Sequence, residues 1–367
     1  MNSILLANAL KREANNFDLL RLICACLVIY GHAFVVSPEP GKADFFYTLT
    51  GYYSGEIAVK LFFFLSGIFV TVSLVEKKSV VYFVISRFFR IWPALIFVVV
   101  CSALVIGPAF TKLNLVAYLR DPNTLLYIKH QVSMNTFGTQ QLGYYDLPGL
   151  FTENHYKNNV NASLWSLGIE VYAYLLLAAV YLAGLLTKKI SILLFILVAL
   201  DSVLPTRIVF TFLPQGYEDF SYLPFCFACG ALVAMHKESL TISASQALCC
   251  LLFYYLFLYT PYERYFFYAS LFSGSLYIFT RAAVLRLRPP VDISYGVYLW
   301  GFPVQQMLDN KYPLMSTFWN LVLGIFMAIL FGIISWYLVE ERSIAAGKKI
   351  SKYLHGILDN NAPSHKP

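Results

Sequence analysis

His32, Glu170 and the pair Arg87 and Arg90 are the residues best placed to do chemistry, because each lies in or at the edge of a long apolar run. An ionisable group inside such a run costs a few kcal/mol at mid-membrane and is normally kept for function. A histidine supplies a general base whose ordinary pKa of about 6.5 leaves it mostly neutral at pH 7. A carboxylate hydrogen-bonded to that imidazole would fix its tautomer and stabilise the imidazolium formed when it takes a proton. Arginines three apart share a helix face, and each guanidinium can clasp phosphate oxygens bidentately, which suits the phosphates of coenzyme A. Flanking arginines also occur at the cytoplasmic ends of most membrane helices, so spacing alone leaves Arg87 and Arg90 open between donor binding and anchoring.

The elements that must position these groups are membrane helices. Of 367 residues, 59% are hydrophobic, 17% aromatic and only 13% charged, against roughly 25% charged in an average soluble domain. A single water-soluble core could not hide so much apolar surface, whereas a bilayer accepts it. Lys and Arg, 27 against 20 acidic residues, fall between the apolar runs and not in a basic patch, which argues against nucleic acid as a partner. Ten runs approach the ~20 residues needed to cross a ~30 Å hydrocarbon core. They are 17–36, 57–75, 88–108, 165–186, 190–205, 220–236, 245–260, 264–284, 292–308 and 315–338, the fifth and seventh being short. The first run is long enough to span and shows no cleavage site, so it is read as a membrane helix and not as a signal peptide. With the N-terminus inside, most Lys and Arg fall in cytoplasmic segments, among them Lys77, Lys78, Lys188, Lys189, Arg286 and Arg288. The positive-inside rule then puts both termini in the cytoplasm and Glu263 and Asp309 outside. The fold class expected is an all-α polytopic bundle of about ten transmembrane helices, in residues 1–342, with a cytoplasmic basic tail over 343–367.

His32 lies about four residues inside the outer end of the first span, hence ~6 Å below the interface at 1.5 Å per residue. Arg21 is eleven residues earlier and Asp18 is close by, so one stripe of this helix is polar and should face the bundle interior. Asp18 and Arg21, three apart, suit either an anchoring ion pair or a catalytic role. Glu170 lies at nearly the depth of His32 by the same counting, although equal depth does not establish contact. A carboxylate satisfied by hydroxyls such as those of Ser163 or Ser166 is the other reading. Lys60, near the outer end of the second span, is a further buried charge that could pair with Glu170. Trp165 and Ser166 join Asp18, Arg21 and Lys60 as substrate or structural support.

The longest polar insertion, about 111–163, falls outside and mixes Tyr, Asn and His with short apolar stretches. Loops of that length are usually functional or disordered, and a partly ordered cover over the outer face is expected. All seven cysteines lie in apolar runs, where Cys behaves as a small hydrophobe, so neither disulfide nor metal is expected despite the spacing of Cys226 and Cys229. The Asn161-Ala162-Ser163 sequon carries little weight by itself.

Six stretches occur in one order along the chain: Asn16 to Arg21 with Gly31-His32, Leu61 to Gly67, Arg87 to Pro93, Ser163 to Glu170, Ile293 to Trp300, and Val339 to Arg342. Together they resemble the acyltransferase type 3 family of membrane O-acyltransferases. The resemblance implies ten helices in the inner (cytoplasmic) membrane and transfer of a small acyl group, most simply acetyl from acetyl-CoA. It implies a sugar hydroxyl as acceptor, on a surface polysaccharide such as O-antigen or on its lipid-linked precursor. It implies His32 as essential base and Arg87 and Arg90 as donor-binding residues. Many relatives carry histidine after the Tyr-Leu-Trp of the ninth span, where this chain has Gly301; a proton-transfer role there would have to pass to another group. The chain ends without the additional hydrolase-like domain of longer relatives, so direct delivery to the final acceptor is expected.

In the mechanism expected, neutral His32 takes the acceptor hydroxyl's proton as that oxygen attacks the thioester carbonyl. From Arg87 and Arg90 at the inner interface the thioester must reach on the order of 24 Å into a ~30 Å core. An extended pantetheine arm of ~20 Å suffices if the nucleotide enters a shallow cytoplasmic vestibule. A covalent acyl-histidine is the alternative chemistry. A transporter or flippase of lipid-linked glycan would also carry intramembrane charges and a polar stripe, and movement of glycan without acylation would mark it.

Overall fold

The computed structural model describes residues 3–134, 146–204 and 222–360. Part of the long insertion, the stretch containing Arg207 with the adjoining ends of the fifth and sixth runs, and the chain beyond 360 lie outside the described residues. Among the described residues the protein is all-α apart from a two-residue antiparallel pairing of Ile4–Leu5 with Thr241–Ile242. Among the described residues, helices occupy the apolar runs read from the sequence, although only some of them reach membrane-spanning length. In chain order the elements are α1 (Phe17–Val36), α2 (Ser54–Lys77), α3 (Val80–Cys101), α4 (Leu115–Arg120), α5 (Pro122–Ser133), α6 (Trp165–Leu182), α7 (Lys188–Val203), α8 (Leu223–Met235), α9 (Ala244–Leu256), α10 (Glu263–Ile278), α11 (Ser294–Lys311), α12 (Thr317–Ser335) and α13 (Glu341–Asn360). Among the described residues, five helical stretches are long and apolar enough to cross a membrane: Phe17–Val36, Ser54–Lys77, Val80–Phe110, Ala162–Leu182 and Thr317–Leu354. α8 and α9, 13 residues each, reach only ~20 Å at 1.5 Å per residue, short of the hydrocarbon thickness. Exposed apolar side chains such as Leu175, Leu193, Leu252, Phe326 and Leu330 lie on these helices, as lipid-facing surfaces require.

The chain divides into two compact units, one of Met1–Cys24, Glu56–Val72 and Ala183–Ser294, the other of Ala25–Gly55, Ser73–Leu182 and Tyr295–Pro367. In the first unit, Asn16 caps α1 by accepting from Leu19 N at 3.3 Å, while its amide donates to Val284 O at 2.7 Å. Asp18 in the first turn then complements the helix dipole. The opening motif therefore starts α1 as well as supplying its charges.

In the second unit, α3 continues through a π-turn, Ser102–Ile106, into Gly107–Phe110. A π-turn loosens the backbone ladder, and Tyr118 of α4 uses a carbonyl there, donating to Ala103 O at 2.7 Å. A Cβ on Gly107 would lie 1.8 Å from that phenol oxygen, so only glycine admits it. Trp92 Nε1 of α3 donates to Val132 O at the end of α5, 3.2 Å away. Residues 111–134 of the insertion are thus built of capped helices docked on α3. A second π-turn, Trp336–Glu340, joins α12 to α13, which packs along α3 with Gly347 against Phe89. The segment expected as a tail from 343 continues α13 without a break as far as Asn360.

Candidate functional site

His32 sits one turn beyond Ile29 on α1, and α11 holds this part of the helix from the side. A Cβ on Gly301 would approach Ile29 Cγ1 to 2.5 Å, so the absence of a side chain there lets α11 lie close against α1. Gln305, one turn on, donates to Ile29 O at 2.9 Å and to Asn320 Oδ1 of α12 at 3.0 Å, and both amide side chains are fully buried. Phe302, between them, meets the His32 ring edge-on with centroids 5.0 Å apart. At the position where the resemblance offers histidine, this chain uses space to set the neighbouring residues against α1.

His32 is partly buried, and its Nδ1 is fully buried with no hydrogen-bond partner among the described residues. The expected bond from Glu170 to this nitrogen is therefore not formed. Glu170 instead accepts from Tyr174 one turn along α6. Nor does Ser166 serve Glu170: its hydroxyl bonds Tyr298 Oη of α11 at 2.8 Å, and Tyr298 also donates to Ser163 O. Trp165, half-buried, begins α6 beside this junction. The ring of His32 is thus oriented by packing and not by a carboxylate.

Other buried polar atoms in the same unit lack hydrogen-bond partners among the described residues: both ends of the Asn159 amide, Ser163 Oγ, Trp300 Nε1 and Gln305 Oε1. Native interiors leave few such groups, so each of these calls for a ligand, an ordered water or a rearranged partner. The segment 154–159 is fastened to α11. Asn154 Nδ2 donates to Gln306 O and Oε1, each at 2.9 Å, and Gln306 Nε2 donates to the carbonyls of Tyr156 and Asn159. His155 N and Nδ1 meet the two carboxylate oxygens of buried Asp309 at 2.9 and 2.8 Å. Tyr156 packs edge-on against Phe302 at 5.5 Å.

Toward the other end of α11, Arg90 pairs with Glu340 at 3.5 Å and lies 5.9 Å from the Tyr295 ring. Glu340 is 1% exposed and its other oxygen accepts from Ser335 Oγ at 3.1 Å. Tyr295 in turn donates to Ile91 O at 3.0 Å. Arg87 lies one turn before Arg90 on α3. Glu340 was visible only as part of the Val339 to Arg342 stretch; an acid following a membrane run, opposite a basic helix start, is the signal that identifies it. Gln305 and Asp309, polar residues in an otherwise apolar run, carry the same kind of signal.

In the first unit, Asp18 and Arg21 form the ion pair at 3.1 Å, with the guanidinium 4.8 Å from the Phe69 ring. Lys60 does not pair with Glu170. Its partner is Glu56, one turn earlier, at 2.7 Å, and Tyr268 of α10 donates to the same carboxylate oxygen at 3.1 Å. The i,i+4 geometry of α2 supplies the nearer acid, which the counting from helix ends overlooked. Among the described residues no three His, Cys, Asp or Glu side chains lie together as metal ligands would.

A histidine held in apolar helices and a basic helix start are features that a membrane-embedded group-transfer enzyme would need. The chain belongs to the acyltransferase family whose model, described as "Acyltransferase domain", matches residues 15–339. It is 27% identical to the O-acetyl transferase of Shigella phage Sf6 over 90% of this chain and 96% of that protein. A shorter match, 39% identical over 22% of each chain, relates it to nodulation protein 10 of Rhizobium leguminosarum bv. viciae. No solved structure matches. The protein is an acyltransferase, and its helices make it a membrane protein.

Proposed function

We propose that the protein transfers acetyl from acetyl-CoA to a sugar hydroxyl of a surface polysaccharide such as O-antigen, or of its lipid-linked precursor. In this reading it sits in the inner membrane with ten spans and both ends in the cytoplasm, so that the insertion and the outer end of α1 face the acceptor. The observation that carries the reading is His32: a histidine on an apolar helix, its Nδ1 without a hydrogen-bond partner among the described residues, held against Phe302 in a chain of acyltransferase descent. The near full-length likeness to a phage O-acetyl transferase supports acetyl as the group moved.

His32 removes the acceptor's hydroxyl proton as the oxygen attacks the thioester carbonyl. The new C–O bond forms, the C–S bond breaks, and the imidazolium returns its proton to the departing thiolate. General base assistance of this kind is worth roughly 10²- to 10⁴-fold. Arg87 and Arg90 receive the donor's phosphates, with Glu340 fixing the guanidinium of Arg90. Glu170 acts at the Tyr174, Ser166 and Tyr298 junction, supporting α6 and α11 on which the acceptor rests.

The test is transfer of radiolabelled acetyl from acetyl-CoA to surface glycan by the purified protein in lipid nanodiscs. Label in the glycan, released by mild alkali as an ester is, supports the reading. Translocation of lipid-linked glycan without label would replace it with transport.

A further inference from the structure

The insertion contains a cleft of about 480 Å³ lined by Asn123, Tyr127, His130, Asp146, Thr152 and Asn158, with a few apolar residues between them. Its volume lies in the ~300–1,000 Å³ range of small-molecule sites. The chemistry of the wall is selective. Side-chain amides, a carboxylate, a hydroxyl and an imidazole stand around one tyrosine, and no Lys or Arg is among the described residues that line it. A phosphate or other anion would lack a Lys or Arg counter-charge there, while Leu126, Leu147 and Pro148 give the wall an apolar side beside its polar one. A polyhydroxylated, uncharged ligand matches it, because amides and carboxylates can bond hydroxyl groups from both sides while the apolar side chains cover ring C–H groups. Thr152 Oγ1 is already buried with no partner among the described residues.

The cleft is also tied mechanically to His32. Residues 151–158 form a closed loop in which Asn158 N donates to Phe151 O at 3.2 Å, and both residues take left-handed backbone angles, φ 54° each. Thr152 and Asn158 line the cleft, while Asn154 and His155 between them are fastened to Gln306 and Asp309 of α11. On that same helix Phe302 touches both the Tyr156 and His32 rings, at 5.5 and 5.0 Å. Two residues of chain from Tyr156 to Asn158 add at most ~7 Å to that path. The cleft wall is therefore tied to the base through a short path of covalent and packed contacts.

We infer that this cleft is a second acceptor subsite, which holds sugar residues of the glycan chain a short way along from the residue acylated at His32. The inference rests on the glycan-acylation reading above and adds that the enzyme recognises a stretch of polysaccharide and not a lone sugar. Binding energy from the remote residues would then be used to place the reacting hydroxyl.

The clean variant is Asn158→Gly, since glycine adopts the left-handed angle freely while the amide is removed; Asp146→Asn is the second. The probes are fragments of the source cell's own surface polysaccharide, released by mild acid and sized to one and to several repeating units. For wild type, kcat/KM for acetyl transfer should be at least tenfold higher on the long fragment than on the short one. In either variant that ratio should fall toward one through a rise in KM for the long fragment, and transfer to the short fragment reports that the variant is folded. Binding of the long fragment without donor, followed by saturation-transfer NMR, should weaken in parallel. An equal loss on both fragments, or an unchanged ratio in both variants, overturns the subsite. Fragment binding that Asn158→Gly abolishes, with no acetyl transfer by wild type, would keep the subsite and reject the acylation reading.

Discussion

Two buried polar clusters, one in each compact unit, solve the problem of charge in an apolar setting in opposite ways. In the first unit Lys60, 1% exposed, meets Glu56 at 2.7 Å, and Tyr268 completes the carboxylate oxygen. Its charge, its counter-charge and a neutral donor lie together, so the cluster has no need of a ligand. In the second unit the His32 Nδ1 lacks a hydrogen-bond partner among the described residues, and Asn159, Ser163 and Trp300 contribute more such atoms. A closed network serves the fold, whereas an open one retains the capacity to bind and react. Intramembrane charge is thus not by itself a mark of catalysis; what distinguishes the two clusters is whether the protein has already satisfied them.

The sharpest consequence separates activity from stability. His32→Ala should lower kcat by roughly 10²- to 10⁴-fold while thermal unfolding in nanodiscs stays close to wild type, because no hydrogen bond to Nδ1 is lost. Lys60→Ala should do the reverse. It leaves the Glu56 carboxylate buried beside Tyr268, and removing one partner of a buried pair costs about 3–5 kcal/mol. Thermal unfolding should show that loss, with kcat of the surviving folded fraction near wild type. A Lys60→Ala protein that is stable but inactive would erase the contrast.

The Arg90 and Glu340 pair joins a partly exposed cation to a buried acid at 3.5 Å. Arg90→Lys should raise the KM for acetyl-CoA about tenfold, since the planar fork that reaches both Glu340 and an anion is lost. Arg87→Ala should act in the same direction. An unchanged KM in the double variant would return both arginines to anchoring. The smallest effect belongs to Glu170. Since its hydrogen bond goes to Tyr174 and not to His32, Glu170→Gln should cost less than His32→Ala. The two changes should also combine additively, each acting on a separate part of the site. Non-additivity in that double-mutant cycle would mean that Glu170 swings to His32 during turnover.

Helix positions were legible because a bilayer demands long apolar runs, and α1 spans the run expected from it residue for residue. The anchoring alternative for Asp18 and Arg21 was legible for the same reason, since three-residue spacing on a helix fixes their contact. Partner choice was not. Depth counting placed Glu170 level with His32 and Lys60 near Glu170, yet depth along a membrane normal says nothing of azimuth, and Tyr174 and Glu56 were nearer. The role of Gly301 was equally hidden: a missing histidine reads as lost chemistry, while the structure shows α11 pressed on Ile29 where a side chain would collide. The helical continuation beyond 343 was missed because a basic, polar segment carries no membrane signal, although its packing on α3 is a tertiary property.

The account turns on His32 as the base, and chemical rescue tests that most directly. Single-turnover acetyl transfer by His32→Ala, measured with and without free imidazole, should be slow without it and should rise with the concentration of neutral imidazole. Wild-type rates in His32→Ala with no imidazole present would contradict the mechanism outright.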